Sequence, residues 1–258
     1  MTVLLLVIAL VYGLLFGSFL NAWAWRLANE ESISKGRSHC TSCGAPIRAR
    51  DNVPVLSWLL LRGRCRDCRA PISRRYPVGE AVTAALFVAV AAYDGLSWVL
   101  APHLIFVSVL VLVSQVDLDI QIIPDVIILP AAAIGLPLMV LLGDGPWWEY
   151  AAAGLGAAGF LWLVSEIYYR IRHVEGMGFG DVKMALCMGF YLGAAVIPGL
   201  FIGFVSGAIV GSLGLVIQKK DKQTPIPFGP FLAAGGILAL FVGEAIIRWY
   251  LDLAMPDR

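Results

Sequence analysis

The chain begins with the stretch VLLLVIALVYGLLFGSFLNAWAW, residues 3–25, which is almost entirely apolar. About 20 apolar residues are enough to cross the hydrocarbon of a bilayer as an α-helix, so this stretch predicts a membrane span. A cleaved signal peptide would begin with basic residues and have a shorter apolar region. Here no Lys or Arg precedes the stretch, and Arg26 follows it. We therefore interpret residues 3–25 as an uncleaved first span with its N-terminus outside.

The composition of the whole chain agrees with a membrane protein. Of its 258 residues, 59% are hydrophobic and 14% are charged, and the mean hydropathy is +0.81. Soluble domains contain about 45–50% apolar and about 25% charged residues, so a soluble enzyme is excluded. A disordered chain is excluded as well, because disorder requires a more polar composition. The net charge of +1 gives no indication of nucleic-acid binding.

Seven further apolar segments follow a polar stretch at residues 26–77. Open sheets in lipid would leave backbone groups without hydrogen bonds, so these segments predict helices. The sequence thus predicts an all-α polytopic membrane protein with about eight transmembrane helices. The seven segments are residues 78–93, 98–116, 126–142, 148–169, 184–197, 199–217 and 228–250.

The basic residues indicate the orientation of these helices. Of the 19 Lys and Arg residues, 17 lie in segments 26–77, 170–183 and 219–222, which share one side of the membrane if eight spans exist. Loops rich in Lys and Arg face the cytoplasm. We therefore expect both termini outside and a large cytoplasmic loop between the first and second helices.

Four of the five cysteines form two Cys-x-x-Cys pairs in this loop, Cys40 with Cys43 and Cys65 with Cys68. Such pairs are typical of a tetrahedral zinc site, because two thiolates in one tight turn face the same cation. Two disulfides or four free thiols are the alternatives, and the reducing cytoplasm disfavours disulfides. His39 is an alternative ligand beside the first pair. Four thiolates leave no open coordination position, so we expect a structural zinc that stabilises a loop lacking an apolar core.

Two acidic clusters lie where predicted spans begin or end, and both fall on the cytoplasmic side. Residues 116–125 contain Asp117, Asp119 and Asp125, and Asp181 follows closely spaced glycines in residues 176–183. Ionisable residues at such positions are costly and often functional. Two neighbouring carboxylates suit acid–base hydrolysis, one ionised and one protonated, and the glycines permit close approach of an extended peptide. Helix-end roles, a proton relay in a transporter, and a docking scaffold are the alternatives.

The ordered set of motifs resembles the bacterial prepilin peptidases, also called type IV leader peptidases, over nearly the whole chain. A single Cys-x-x-Cys pair is only moderately specific for this family, whereas the full set of motifs in this order is very specific for it. Besides the cysteine pairs and the acidic clusters, the matching motifs are GSFLN at residues 17–21, DNVPVLSWL at 51–59, LRGRC at 61–65, ISRRYP at 72–77 and PFGP at 227–230.

This resemblance implies a membrane aspartic endopeptidase of the GxGD type. It implies cleavage of the leader of type IV prepilins or pseudopilins, and in many members N-methylation of the new N-terminus with S-adenosylmethionine. The family's catalytic pair matches Asp117 and Asp181 here, whereas Asp119 and Asp125 match other family positions. No glycine-rich nucleotide-binding motif is present, so the methyl donor is expected from the resemblance alone.

We accordingly predict three segments: a first transmembrane helix at residues 1–25, a cytoplasmic four-cysteine zinc-binding domain at 26–77, and a seven-helix transmembrane aspartyl protease domain at 78–258. The expected location is the bacterial inner membrane, with the zinc module and the aspartates on the cytoplasmic side. Prepilins and membrane lipid are the expected partners, and nucleic acid is not. The sequence does not indicate which residues bind the methyl donor, nor the oligomeric state. Gly79 departs from the family pattern, but the following Glu80 matches it.

Overall fold

The computed structural model of the chain describes residues 2–33, 37–174, 177–218 and 227–255, without the side chains of 215–218. The predicted basic segment 219–222 and the first glycine of the second acidic cluster, Gly176, lie outside the described residues. Within the described ranges the chain is helical, and its β pairing is confined to two isolated bridges. The prediction of an all-α polytopic protein is therefore confirmed.

The described ranges contain eight long helices and one short helix. Two 3-10 turns, Ala49–Asp51 and Gly193–Ala195, accompany them. The α-helices are α1 Thr2–Ala28, α2 Leu56–Leu60, α3 Arg75–Asp94, α4 Leu100–Ile120, α5 Asp125–Leu142, α6 Trp147–Arg172, α7 Phe179–Leu192, α8 Val196–Gln218 and α9 Gly229–Ala254.

Seven helical stretches in the described part of the chain are long and apolar enough to cross a membrane, and one of them, Phe179–Gly214, joins α7 to α8. The chain reverses direction inside this stretch, at the turn that begins with Gly193 in a left-handed conformation (φ 55°). Along α9, Gly236 lies against α7 and Gly243 lies against Ala195, whereas Gly235 lies against Gly199 of α8. Thus α7 runs parallel to α9 and α8 runs back along it, which agrees with about eight spans.

The chain divides into two compact units, Met1–Leu100 (unit one) and Ala101–Arg258 (unit two). In unit one, α1 packs on α3 through two glycines. A Cβ atom on Gly13 would lie 2.6 Å from the Ala84 Cα atom, and one on Gly17 would lie 2.7 Å from the Glu80 Cα atom. Small residues allow such close helix contact in lipid. The finer division into segments 1–25, 26–77 and 78–258 stays a prediction.

Unit two is held together by tight contacts of α7 with its neighbours. A Cβ atom on Gly189 of α7 would lie 2.4 Å from the Gly154 Cα atom of α6. Further along α7, the buried Tyr191 ring stacks on Phe106 with centroids 4.9 Å apart, and its hydroxyl donates to the Ala131 carbonyl at 3.2 Å. These contacts fix the position of α7, whose first turn carries Asp181.

Candidate active site

Asp117 lies in the last turns of α4 and is buried, with 5% of its surface exposed. Its Oδ2 atom accepts a hydrogen bond of 2.8 Å from the backbone N–H of Gly229, the first residue of α9. The N-terminus of a helix carries partial positive charge and free N–H donors, so this end of α9 favours an anion. The Asp117 carboxylate therefore sits in a site built for negative charge.

Gly229 is the residue type that this contact requires. A Cβ atom added there would lie 2.9 Å from Asp117 Oδ2 and 3.1 Å from Asp117 Cβ and Cγ. Ordinary contacts begin at 3.4 Å. A side chain at position 229 would thus push the carboxylate away from the N–H donor.

Asp181 lies in the first turn of α7, and it is also buried, with 9% exposed. Its backbone N–H donates to the Gly178 carbonyl at 3.1 Å, which closes the turn that begins the helix. The Asp117 carboxylate lies near enough to act on Asp181 electrostatically. The structure therefore places the two predicted aspartates, 64 residues apart in the sequence, within electrostatic reach of each other in unit two.

The two glycines of the GxGD motif have different surroundings. Gly178 faces its own motif, because a Cβ atom there would meet Asp181 Oδ2 at 3.6 Å. Gly180 packs against Ile123, where a Cβ atom would lie 2.8 Å from the Ile123 Cβ atom. Gly180 thus permits close packing against the segment between α4 and α5, and the expectation that these glycines let an extended peptide approach stays a prediction.

The other two acids of the first cluster are exposed, unlike this pair. Asp119 is exposed near the end of α4. Asp125 begins α5, and its Oδ1 atom accepts a hydrogen bond of 2.5 Å from the Lys183 Nζ atom of α7. The same ammonium lies 4.9 Å from the centroid of the Phe179 ring. This ion pair ties the start of α5 to the first turns of α7.

The four cysteines of the loop also meet, forming a second candidate site in unit one. Their four sulfur atoms all lie within 4.8 Å of one another, and those of Cys40 and Cys68 are 3.8 Å apart. Zn–S bonds of about 2.3 Å in a tetrahedron imply sulfur–sulfur distances of about 3.8 Å. The donor set therefore fits a structural zinc ion. The alternative ligand, His39, lies outside the sulfur group and packs against the Trp25 ring.

The two Cys-x-x-Cys turns have the same backbone geometry. In each turn the backbone N–H of the first cysteine donates to the carbonyl of the residue five positions later. The carbonyl of the same cysteine accepts a hydrogen bond from the N–H of the residue four positions later. The residue four positions after the first cysteine is left-handed in both, Gly44 (φ 71°) and Arg69 (φ 61°). An isolated bridge closes each turn, His39 with Pro46 and Arg64 with Pro71. Two equivalent turns thus present their sulfurs to one point.

Backbone hydrogen bonds favour the thiolate at one of the four cysteines, Cys40. Backbone N–H groups of Cys43 and Ser42 lower the pKa of the Cys40 thiol to about 6, which favours the thiolate at neutral pH. The Arg66 guanidinium binds the Asp51 carboxylate through two hydrogen bonds, of 2.8 and 2.6 Å. This arginine lowers the pKa of Asp51. The ion pair ties the second cysteine turn to the DNVP segment.

Sequence reasoning missed the roles of two residues in the aspartate site. In the sequence Gly229 stands out only as part of the PFGP motif, and the signal for its role is a glycine directly before a long apolar helix. Lys183 was counted only as a basic residue, although a cation two positions after Asp181 was a signal for a nearby acid. In both cases the partner lies far away in the sequence.

Comparison with known proteins yields two family profiles. One, described as the bacterial peptidase A24 N-terminal domain, matches residues 11–93, and the other, described as the type IV leader peptidase family, matches residues 104–212. No solved structure shows a significant match to the chain.

Several curated proteins are similar to the chain over almost their whole length, and each is named prepilin leader peptidase/N-methyltransferase. The protein from Aeromonas hydrophila is 38% identical over 93% of this chain and 92% of its own. The one from Bacillus subtilis is 34% identical over 97% of this chain and 100% of its own. The one from Pseudomonas aeruginosa is 34% identical over 95% of this chain and 93% of its own.

Proposed function

The chain belongs to the type IV leader peptidase family, and from this premise we propose that it cleaves the leader of type IV prepilins or pseudopilins and then methylates the new N-terminus. With its apolar helices, it is a multi-pass protein of the inner membrane. The observation that carries the catalytic proposal is that two buried aspartates, Asp117 and Asp181, lie near enough to interact electrostatically, with Asp117 hydrogen-bonded to the N-terminus of α9.

The two aspartates divide the acid–base work between them. Two neighbouring carboxylates in a low-dielectric site do not both ionise, so the pair shares one proton. Asp117 is the carboxylate of the pair, because the Gly229 N–H donates to it at the positive end of α9. Asp181 is then the protonated partner, and it donates to the oxygen of the scissile carbonyl.

Hydrolysis proceeds through a water bound between these side chains. Asp117 takes a proton from the water as its oxygen attacks the carbonyl carbon, and Asp181 gives its proton to the carbonyl oxygen, which forms a diol. The carbon–nitrogen bond then breaks. Asp117 passes its proton to the leaving amine, and Asp181 recovers a proton from the diol. Both aspartates thus return to their starting states.

The membrane positions the substrate for this reaction. The apolar helix of a prepilin lies in the bilayer beside the enzyme's helices, and its short leader stays at the cytoplasmic face. Confinement to the bilayer replaces a three-dimensional search and aligns the scissile bond with the aspartates, as proximity catalysis requires. This assignment rests on the charge distribution of the loops, which favours a cytoplasmic location for the cysteine module and the aspartates.

Two bound groups complete the proposal. Zinc held by Cys40, Cys43, Cys65 and Cys68 crosslinks the two turns and stabilises the loop of unit one. S-adenosylmethionine, when bound, supplies the methyl group for the second reaction. The zinc takes no part in hydrolysis, because its four thiolates fill the coordination sphere.

Replacement of each acid by Asn tests the catalytic assignment. We expect Asp117→Asn and Asp181→Asn to abolish cleavage of a model prepilin, because each removes a proton acceptor or donor. Asp119→Asn is the matched control and retains cleavage, since Asp119 is exposed whereas the two aspartates of the pair are buried. Mass spectrometry of the prepilin reports the cut, and zinc content reports folding of unit one. Cleavage by both catalytic variants would contradict the mechanism, and a wild-type chain without cleavage would favour a scaffold or a transporter.

A further inference from the structure

Unit one contains a cavity of about 680 Å³ between the second half of α1, the cysteine module and the start of α3. Ligand sites in proteins have volumes of about 300–1,000 Å³ and are mostly apolar with a few polar groups. The walls of this cavity include Trp25, Trp58 and Tyr76, together with the Glu80 carboxylate. Its size and lining are therefore those of a small-molecule site.

Three acids line the cavity, and two of them, Asp51 and Asp67, form ion pairs with Arg66 and Arg48, so Glu80 is the acid that calls for a ligand. It is buried, with 8% exposed, and its Oε2 atom accepts a hydrogen bond of 2.7 Å from the backbone N–H of Val55. The Ser18 hydroxyl is its second hydrogen-bond partner. Among the described residues no Lys, Arg or His forms an ion pair with this carboxylate. A buried charge without a counter-charge is costly, so a cationic ligand would complement the site.

The residue that binds Glu80 is itself in a strained conformation. Val55 has φ 61° and ψ −51°, which a β-branched residue rarely adopts. Such outliers persist where the surrounding structure enforces them, and they cluster at ligand-binding and catalytic sites. The strained Val55 N–H points to Glu80, so the unusual backbone serves to hold this one carboxylate at the cavity wall.

Aromatic side chains complete the recognition of a cation. Trp25 and Trp58 both line the cavity, and the Trp58 indole is fixed by a hydrogen bond of 3.1 Å to the Ile72 carbonyl. Tryptophan faces attract weakly hydrated cations. Trp23 also lines the cavity, and its buried Nε1 atom has no hydrogen-bond partner among the described residues. A ligand with a positive centre and a hydrogen-bond acceptor satisfies both features.

Building on the proposed function, we propose that this cavity of unit one binds S-adenosylmethionine, with Glu80 opposite the sulfonium and an acceptor atom of the adenine at Trp23. The methyl-transfer site is then formed by residues of unit one, whereas the hydrolytic pair belongs to unit two. In the transfer, the neutral α-amine of the mature pilin forms a bond to the methyl carbon as the carbon–sulfur bond breaks. The electron pair stays on sulfur, so the positive charge passes to the methylated nitrogen and S-adenosylhomocysteine remains.

This arrangement predicts that the site distinguishes the donor from its product. S-adenosylmethionine is cationic at sulfur, but S-adenosylhomocysteine is not. The Glu80 carboxylate therefore attracts the first compound more strongly than the second. In Glu80→Gln we expect at least about a tenfold loss of affinity for S-adenosylmethionine, because a charge pair in a partly buried site is worth more than this factor. The affinity for S-adenosylhomocysteine should change far less. Methylation should fall in parallel, while prepilin cleavage continues.

The experiment uses the full chain in detergent and measures the binding of both compounds by equilibrium dialysis, with cleavage and methylation of a prepilin followed by mass spectrometry. Glu31→Gln is the matched control, since Glu31 is an exposed acid of unit one that does not line the cavity. Trp25→Leu removes an aromatic face but no charged group, and it should also weaken binding of the sulfonium compound more than that of its product. Zinc content shows that unit one remains folded.

The outcomes separate this inference from the proposed function. If the wild-type chain cleaves and methylates but Glu80→Gln and Trp25→Leu bind both compounds with unchanged affinity, the cavity is not the donor site and the proposed function stands. A raised KM for prepilin in Glu80→Gln, with unchanged donor affinity, would assign the cavity to the substrate's leader and overturn the inference. If Glu80→Gln loses its zinc, Trp25→Leu alone decides. A wild-type chain that neither cleaves nor methylates would refute the proposed function itself.

Discussion

Gly229→Ala is the most direct test of the idea that α9 holds the catalytic carboxylate. The added Cβ atom would lie 2.9 Å from Asp117 Oδ2, which must move by about 0.5 Å to reach an ordinary contact of 3.4 Å. That movement lengthens the hydrogen bond to the position 229 N–H, now 2.8 Å, and shifts the base relative to its water. Because a displacement of about 1 Å in an active site costs about 100-fold in rate, we expect kcat to fall about 10- to 100-fold.

The assay is the initial rate of prepilin cleavage by purified protein at several substrate concentrations. The KM should change little, because the substitution does not alter the surface that holds the apolar helix of the substrate. Gly159→Ala in α6 is the matched control, since a Cβ atom there meets nothing within 4 Å. Wild-type kcat in Gly229→Ala, with the protein folded, would refute the role that we give to the α9 N-terminus.

Three further substitutions and one double variant probe the elements around the sites. Because the two cysteine turns are equivalent, their left-handed positions can be tested in both directions. Gly44→Val should lower the free energy of unfolding by about 1–2 kcal/mol, because valine is strained in the left-handed conformation, and the variant should release zinc faster to a chelator. Arg69→Gly should retain zinc at least as well as the wild type. Lys183→Met breaks the ion pair with the half-exposed Asp125 and should lower the free energy of unfolding by less than about 1 kcal/mol. The charge-reversed double variant should recover most of that loss, and equal melting temperatures for the wild type, Lys183→Met and the double variant would show that the pair does not contribute.

The apolar segments predicted most of the helices because lipid leaves a chain little choice of structure. The ends of the helices were harder to predict where charged residues belong to the helix. α7 begins at Phe179, five residues before its apolar segment, because Gly178 precedes it as the N-cap and Lys183 is neutralised by Asp125. An apolar segment read from the sequence stops at a charged residue, even when a partner on another helix neutralises that charge and the helix continues through it.

The cysteine site could be predicted from the sequence more completely than the aspartate site. Each cysteine pair lies within a single turn, and spacing alone predicted that its sulfurs face one point. The aspartate site is different, because Asp117 and Gly229 are 112 residues apart and meet only through helix packing. The acids were therefore predicted from their cost in a membrane and from the family resemblance, whereas their hydrogen-bond donor was not.

The cavity of unit one had no signature in the sequence at all. For Glu80 the sequence shows only a match to the family pattern, since nothing in a linear pattern shows that α1, the DNVP segment and α3 enclose a common space. The conformation of Val55 was equally hidden, because an ordinary valine gives no sign of a positive φ. Features of this kind arise only when several segments are assembled.

The shortness of α7 makes bilayer thickness a variable of the reaction. Its 14 residues rise about 21 Å, whereas the hydrocarbon is about 30 Å thick. When the turn at Gly193 reaches one edge of the hydrocarbon, the opposite end of α7, with Asp181, stays several ångströms below the other edge. Under the proposed mechanism, water would then have to enter the lipid to that depth, and the pilin helix would have to unwind there before its backbone is accessible. Vesicles of shorter-chain lipids would reduce this mismatch, so turnover should rise as the acyl chains shorten.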